Sequence, residues 1–437
     1  MTPAARIAAA IELLDEIEKA MASRGAPADA IVASFFRARR YAGSGDRRAV
    51  TGLVYGILRR RALLVYMASV AGLEPNARAL VIAALKLDSE QLDMFGTEDR
   101  FAPAALTAAE EGMSVDVASA PEDARLNIPD WATAGLHARF GDELAPAMAA
   151  LAETAPLDLR INPLKRVSEK IINNFKNSYE LIDFNDYTNI SMRSAQHRVL
   201  TNEALYRDGQ IEVQDVAAQV ASLLVGAKLG EQVVDFCAGA GGKSLLMAAT
   251  MENHGQIHAF DISGKRLDAL KERAKRAGAH NIQVKRLPLK DDERSSMQRP
   301  LLGRMDRVVV DAPCSGSGTW RRNPDQRWRL DDAALAEQAA LQSAILKEAS
   351  ALVKPGGLLV YMTCSLLPAE NEAVADAFAA ENPDFVRRDF RDFWVGPWLQ
   401  GAAPSSLALN ATDLQLAPHA HATDGFFIAF FERRPGA

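Results

Sequence analysis

The sequence predicts an all-α region followed by an α/β domain built on a doubly wound parallel sheet. Three observations predict it. Up to about residue 90 the apolar residues recur at helical spacing. From about residue 228 short apolar runs alternate with amphipathic stretches, the rhythm of βα units whose parallel sheet is covered by helices on both faces. The length, 437 residues, exceeds what one hydrophobic core usually organises. The expected division is a helical domain at 1–130, a connecting α/β subdomain at 131–225 and the doubly wound domain at 226–437.

Each element has its own warrant. Ile7, Ile11, Leu14 and Ile17 share one helix face; Val50, Leu53, Val54, Ile57 and Leu58 share another, with Asp46 as a candidate cap. Between residues 86 and 127 the periodicity weakens around Pro103, Gly112 and Pro121, which predicts a loop-rich connector. Helices resume at 131–140 and 142–153, and 157–161 reads as a strand running into an Asn162-Pro163 turn. Residues 167–191 change character, becoming rich in Asn, Ile, Lys and Tyr, and nothing physical in the sequence accounts for the shift. Strands are expected at 233–236, 256–262, 282–284, 307–311 and 357–364, with helices at 244–251, 265–277, 331–353 and 369–380.

Composition excludes several classes. With 48% hydrophobic and 24% charged residues the chain is globular, and charges interrupt every apolar run before it reaches membrane-spanning length. Acids throughout residues 1–22 argue against a signal peptide, so a cytoplasmic location is expected. Three scattered cysteines make neither a disulfide framework nor a zinc site, and the seven histidines lack metal-ligand spacing; no metal is expected. The net charge is −6, yet Arg37, Arg39, Arg40, Arg47, Arg48, Arg59, Arg60 and Arg61 crowd a stretch whose only acid is Asp46. Such a cluster either binds phosphate backbone or forms a solvated helix face against an acidic neighbour.

Between the strand at 233–236 and its helix lies Cys237-Ala238-Gly239-Ala240-Gly241-Gly242-Lys243. Small residues let the backbone approach a ligand, and the following helix offers free N–H groups. Asp261 ends the next strand, where an acid accepts hydrogen bonds from both ribose hydroxyls. The loop is neither a G-x-G-x-x-G fingerprint nor a Walker A loop. Nucleoside binding is favoured over an empty βα turn because of that added acid.

Two of the three cysteines fall at strand ends: Cys314, within Asp311-Ala312-Pro313-Cys314, and Cys364, within Thr363-Cys364-Ser365. A lone cysteine is usually an inert buried hydrophobe. A pair at neighbouring strand ends beside Asp311 suits a different task. Cytosine C5 attacks a methyl sulfonium only after a thiolate adds to C6, and a base must then remove the C5 proton. Two thiols and a carboxylate that favours the protonated ring nitrogen supply those functions. Amino-group methylation, which needs no covalent step, uses an Asn/Asp-Pro-Pro-Tyr motif that this chain lacks.

The segments DFCAGAGGKS (235–244), FDIS (260–263), DAPCSGSGTWRRNPDQRW (311–328) and YMTCSLLPAENE (361–372) resemble the Nol/Nop/Sun family of RNA cytosine-5 methyltransferases, most closely its bacterial Sun (RsmB-like) 16S rRNA branch. APLDLRINPLK (155–165), YRDGQIEVQD (206–215) and TDGFFIA (423–429) extend the likeness over nearly the whole chain. The resemblance implies a Rossmann-like S-adenosylmethionine (SAM)-dependent domain behind a NusB-like RNA-binding domain. It implies that Cys364 is the nucleophile and that Cys314 assists product release. Residues 237–243 then wrap the methionine and adenosine moieties, Asp261 holds the ribose, and Asp311 lies between cofactor and base. The expected partner is RNA, with rRNA favoured over tRNA, and the arginine cluster then reads as an RNA contact. Arg321 and Arg322 are candidate phosphate contacts, Trp320 or Trp328 a candidate stacking platform, and Arg160 and Asn162 are candidates for the RNA path or, equally, for a structural turn. Two departures stand out. Gly239-Ala240 replaces the family's Ala-Pro, and Lys285-Arg286-Leu287-Pro288-Leu289 occupies the place of an acid that contacts adenine, with Asp291 several residues late. The second departure keeps open a non-catalytic RNA-binding assembly factor.

Overall fold

The computed structural model describes residues 1–90, 92–183, 186–194 and 200–436. Residues 184 and 185 of the Asn-rich stretch lie outside them. The chain forms two compact units, the first made of Met1–His137, Asp142–Glu153 and Thr319–Asp332, the second of Ala138–Gly141, Thr154–Gly318 and Ala333–Ala437. No helix among the described residues is long and apolar enough to cross a membrane.

The first unit is helical, as the periodicity predicts. It carries α1 (Pro3–Ala22), α2 (Ala28–Ala38), α3 (Ser44–Arg59), α4 (Arg61–Val70) and α5 (Ala77–Leu87). Two short turns, α6 (Ala108–Glu111) and α7 (Glu122–Leu126), precede α8 (Asp130–Phe140) and α9 (Leu144–Ala152). Thr2 caps α1, its hydroxyl accepting from the Ala5 N–H at 3.1 Å. Leu13, Leu14, Ile17, Val54, Ile57 and Leu58 are fully enclosed, each stabilising the unit by roughly 1.5–3 kcal/mol. Asp46, the third residue of α3, caps the helix from within its first turn. Its carboxylate accepts from the Gly43 N–H and pairs with Arg6 and the N-terminal ammonium. Packing also divides the arginine cluster. Arg39 pairs with Glu12, Arg60 with Asp88 and Arg61 with Glu18, acids that lie outside the cluster in sequence. Arg37, Arg40, Arg47 and Arg48 remain exposed.

The second unit opens with a small antiparallel sheet. Its elements are β1 (Leu157–Ile161), α10 (Glu169–Tyr179), β2 (Ile182–Asp183), β3 (Ser191–Ser194), α11 (Ala204–Arg207) and β4 (Ile211–Val213), in the order β2-β3-β1-β4. Then α12 (Val216–Leu224) leads into the main sheet. Along the chain follow β5 (Gln232–Asp235), α13 (Gly242–Thr250), β6 (Gln256–Asp261), α14 (Gly264–Ala277), β7 (Ile282–Arg286), α15 (Asp291–Gln298), β8 (Met305–Asp311), α16 (Asp332–Ser350) and β9 (Val353–Thr363). The chain closes with α17 (Glu372–Glu381), β10 (Phe385–Arg388), β11 (Leu414–Leu416), α18 (Pro418–His421) and β12 (Phe426–Arg433).

The sheet order is β10-β12-β9-β8-β5-β6-β7. The five strands β5 to β9 are parallel, and β12 and β10 add antiparallel. Alternate strand residues feed opposite cores, the period-2 signature of a sheet buried on both faces. Val233, Ile257, Val309, Val360 and Ile428 pack toward α12, α13 and α14. Val234, Phe260, Val308, Leu359 and Phe427 face the other core, with α16 and α17. Both expected cysteine strands are neighbours, β8 and β9, with Asp311 opposite Met362. Functional loops therefore gather at the carboxyl ends of adjacent strands, where such sheets bind ligands.

Candidate active site

The loop between β5 and α13 is fastened from several sides. Ala238 donates to the Phe260 carbonyl at 2.8 Å, and the Gly239 N–H donates to Asp261 Oδ2 at 2.9 Å. Asp261 Oδ1 accepts from the Ser263 N–H at 2.7 Å, so the acid ending β6 organises two backbone segments. Arg273 of α14 holds the Ala240 carbonyl at 2.8 Å. Gly239 has φ +54° with open space where a Cβ would project, whereas a Cβ on Gly241, at φ +84°, would lie 2.5 Å from Leu270 Cγ. The first glycine leaves the loop's open side clear for a ligand, and the second lets the loop lie flat on α14. Below it, the Ser244 hydroxyl donates to Asp235 Oδ2 at 2.5 Å. Burial pushes the Asp235 carboxyl up to about 6, partly opposed by that bond. Burial and neighbouring carboxylates push the Cys237 thiol up, so it stays protonated and inert.

Lys243 leaves the loop to meet Asp311 at the end of β8, with Nζ 2.5 Å from Oδ2 and 5.0 Å from the centre of the Phe426 ring. Burial alone would lower its ammonium; the Asp311 charge and hydrogen bond outweigh that and hold it above its ordinary value. Cys364 also acts on Lys243 electrostatically.

The two cysteines meet. Cys314 Sγ lies 3.4 Å from Cys364 Sγ; both are free thiols and half-buried. The hydrogen bond to Cys364, then burial, then the Cys364 and Glu370 charges hold the Cys314 thiol well above its ordinary range. Backbone contacts fix the approach: Ala312 donates to the Met362 carbonyl and Gly318 to the Cys364 carbonyl, each at 2.9 Å. Gly318 lies so close to Gly425 that a Cβ would come within 2.3 Å of its carbonyl oxygen, which docks the loop before β12 onto the Cys314 loop.

All the expected site residues thus come from adjacent strand ends of one sheet. Others do not take the places expected of them. Arg160 is buried, donating to Gln214 Oε1 at 2.6 Å, and Asn162 is buried against the Gly209 and Ala277 carbonyls. Neither lines an open RNA path. Trp320 is fully enclosed within the first unit, edge-on to Trp131 and beneath the Arg327 guanidinium, so it offers no stacking face. Trp328 donates its indole N–H to the Leu58 carbonyl at 2.7 Å, and Arg321 is buried. After β7, Arg286 donates to the Ile262 carbonyl and Leu287 is buried, while Asp291 opens α15. Sequence reasoning missed a buried polar group behind the thiols: Ser315, Ser317, Gln342, Ser365, Glu370 and Asn371. The signal was present as Pro368-Ala369-Glu370-Asn371-Glu372, which reads equally well as an exposed helix start.

Comparison with known proteins places the chain. Residues 223–432 match the family model described as 16S rRNA methyltransferase RsmB/F. A probable ribosomal RNA small subunit methyltransferase B from Synechocystis sp. is 34% identical over 312 residues, covering 69% of this chain and 66% of the relative. Ribosomal RNA small subunit methyltransferase B from Serratia proteamaculans is 32% identical over 267 residues, covering 61% of each chain. The aligned stretch thus spans less than two thirds of either relative's length. Among solved structures, PH0851 superposes over 99% of both chains with TM-score 0.75 at 24% identity, a likeness of fold. A methyltransferase homolog protein from Pyrococcus horikoshii matches at TM-score 0.56 and 25% identity, covering 71% of this chain and 97% of its own. With its Rossmann-like sheet, its glycine loop and its paired strand-end cysteines, the chain is similar over residues 223–432 to the RsmB/F family of 16S rRNA methyltransferases.

Proposed function

We propose that the protein transfers a methyl group from SAM to C5 of a cytosine in RNA, with 16S rRNA the substrate. The observation that carries this reading is the 3.4 Å approach of two free thiols beside the Lys243–Asp311 pair. In the domain organisation proposed with it, residues 1–130 form a NusB-like RNA-binding domain, 131–225 a connecting subdomain and 226–437 the methyltransferase. Exposed Arg37, Arg40 and Arg48 supply phosphate contacts.

The residues present fit SAM. The open side of Gly239, the N-terminal N–H groups of α13 and the Asp261 carboxylate suit a nucleoside with a charged tail, and residues 237–243 wrap it. When bound, SAM supplies the electrophilic methyl group that an activated C5 takes up. The chain's own groups do the rest. The Cys364 thiolate, which the Lys243 ammonium feels electrostatically, adds to C6 and makes the S–C6 bond. The Asp311 carboxylate accepts a hydrogen bond from the protonated N3 and so favours addition. Once Cys364 is a neutral thioether, the charge that helped to hold the Cys314 proton is gone. Cys314 then gives its own proton to solvent, and its thiolate takes the C5 proton; the C–H electron pair closes the C5=C6 bond, the S–C6 bond breaks with its pair returning to Cys364, and N3 releases its proton.

The test uses purified protein, labelled SAM and unmodified 16S rRNA, with 5-methylcytosine as the expected product. Cys364→Ala is expected to abolish it, and Cys314→Ala to trap a covalent protein–RNA adduct. Equal, adduct-free loss from both variants contradicts the assigned roles, and labelling of tRNA in preference to rRNA moves the substrate. The missing acid after β7 favours one further reading, a non-catalytic RNA-binding assembly factor. Calorimetry with SAM separates the two, since absence of binding supports the second.

A further inference from the structure

Behind the thiols, one carboxylate touches the residue that follows each cysteine. Glu370 is fully enclosed in the loop before α17. Its oxygens accept from the Ser315 N–H at 2.8 Å, the Ser315 hydroxyl at 2.5 Å and the Ser365 hydroxyl at 2.5 Å. Gln342 of α16 donates to it at 3.0 Å and also to the carbonyl of Pro313 at 2.8 Å, the residue before Cys314. Tyr361 completes the arrangement, its hydroxyl donating to the Glu370 backbone carbonyl at 2.5 Å and lying 3.2 Å from Gln342 Oε1. Among the described residues no cation pairs with Glu370. Enclosing a carboxylate without a counter-ion costs several kcal/mol unless hydrogen bonds compensate, and four donors converge on this one.

We propose that Glu370 is a positioning residue for the two-thiol reaction: its carboxylate ties the Cys314 loop to the Cys364 loop and strengthens Cys314 as the base that removes the C5 proton. This rests on the methyl-transfer reading above. The geometry separates the two functions. Ser315 and Gln342 fix the Cys314 loop from both sides of the cysteine, while a single hydroxyl reaches the Cys364 loop. The negative charge acts in the same sense, since Glu370 is among the groups that raise the Cys314 thiol. A thiolate formed there is the stronger base for it. Addition by Cys364 relies instead on Lys243 and Asp311, which Glu370 does not touch among the described residues.

Glu370→Gln keeps the shape and removes the charge. In wild-type protein with SAM and unmodified 16S rRNA, turnover leaves little covalent protein–RNA species. In Glu370→Gln, turnover is expected to fall roughly 10²-fold, the scale of a small misplacement of reacting groups, while a covalent adduct accumulates on denaturing gels. SAM affinity by calorimetry is expected to stay within about twofold, because the cofactor loop is held by Asp261, Arg273 and Asp235. Ser315→Ala, a milder change on the Cys314 side alone, is expected to accumulate the same adduct in smaller amount. Wild-type turnover by Glu370→Gln overturns the proposal. So does equal loss of adduct and product in both variants with unaltered SAM binding and melting temperature, the outcome of a merely structural role. If wild-type protein forms no 5-methylcytosine at all, the methyl-transfer reading itself has failed, a result distinct from either.

Discussion

Asp235 shows how a single buried charge is tolerated for the sake of a loop. Its carboxyl, at the end of β5, is almost fully enclosed, with one oxygen on Ser244 and the other without a partner. Burial lifts it to about 6 against an unfolded value near 3.9. A raised acid binds its proton more tightly in the folded state. Its stabilising contribution is therefore complete below about pH 4 and lost as pH rises through about 6, leaving a cost at neutral pH on the order of 3 kcal/mol. Asp235→Asn keeps an acceptor for Ser244 and removes the charge. Its melting temperature relative to wild type is expected to be higher at pH 8 than at pH 4.5. An offset that stays constant between those pH values contradicts the assignment. The sequence exposed this residue only as the start of a glycine-rich turn, because burial of a carboxylate leaves no mark on residue order.

Elements were legible where periodicity is strong and both faces are covered. The alternation of apolar runs with helical stretches from residue 228 predicted the parallel sheet, and the cysteines fell on neighbouring strands as expected. Ends were less legible. β9 begins at Val353, opposite Met305, but residues 354–357 bulge out of the ladder, with Gly356 at φ +74°, before pairing resumes at Leu358 opposite Arg307. Asp46 caps its helix as expected, from the third position through the Gly43 N–H, but its further partners, the N-terminal ammonium and Arg6, are distant in sequence and left no local signal. Trp320 and Arg160 read as candidate RNA contacts because residue type alone cannot report burial. The cofactor loop itself depends on an element-level fit. In Gly241→Ala the new methyl group meets Leu270 of α14 at 2.5 Å and the residue must hold φ +84°, so loop or helix has to move. The variant is expected to lose about 1–3 kcal/mol of stability and at least tenfold in SAM affinity, checked by thermal melting and calorimetry. Unchanged affinity contradicts a role for this loop in holding the cofactor.

At the scale of the molecule, the helical unit is not one continuous stretch of chain: Thr319–Asp332 belong to it although they follow the Cys314 loop in sequence. These residues are part of the unit's core. Trp320 is fully enclosed, Asp325 accepts from the Ala28 N–H at the start of α2 at 3.1 Å, and the Arg327 carbonyl accepts the Trp131 indole N–H at 3.1 Å. The Arg327 guanidinium, which burial lowers to about 9, donates to the Asn127 carbonyl at 3.1 Å. Removing an enclosed tryptophan alone typically costs about 3–5 kcal/mol, a large share of the 5–15 kcal/mol that holds a domain folded. Residues 1–153 expressed alone lack all of this, and are expected to melt at low temperature with a broad transition. The same fragment with 319–332 appended through a flexible linker is expected to regain a cooperative transition by circular dichroism. Equal, cooperative melting of the two fragments would show that the helices close without the inserted segment. The linker comparison isolates the segment's packing, because both fragments share every other residue of the unit.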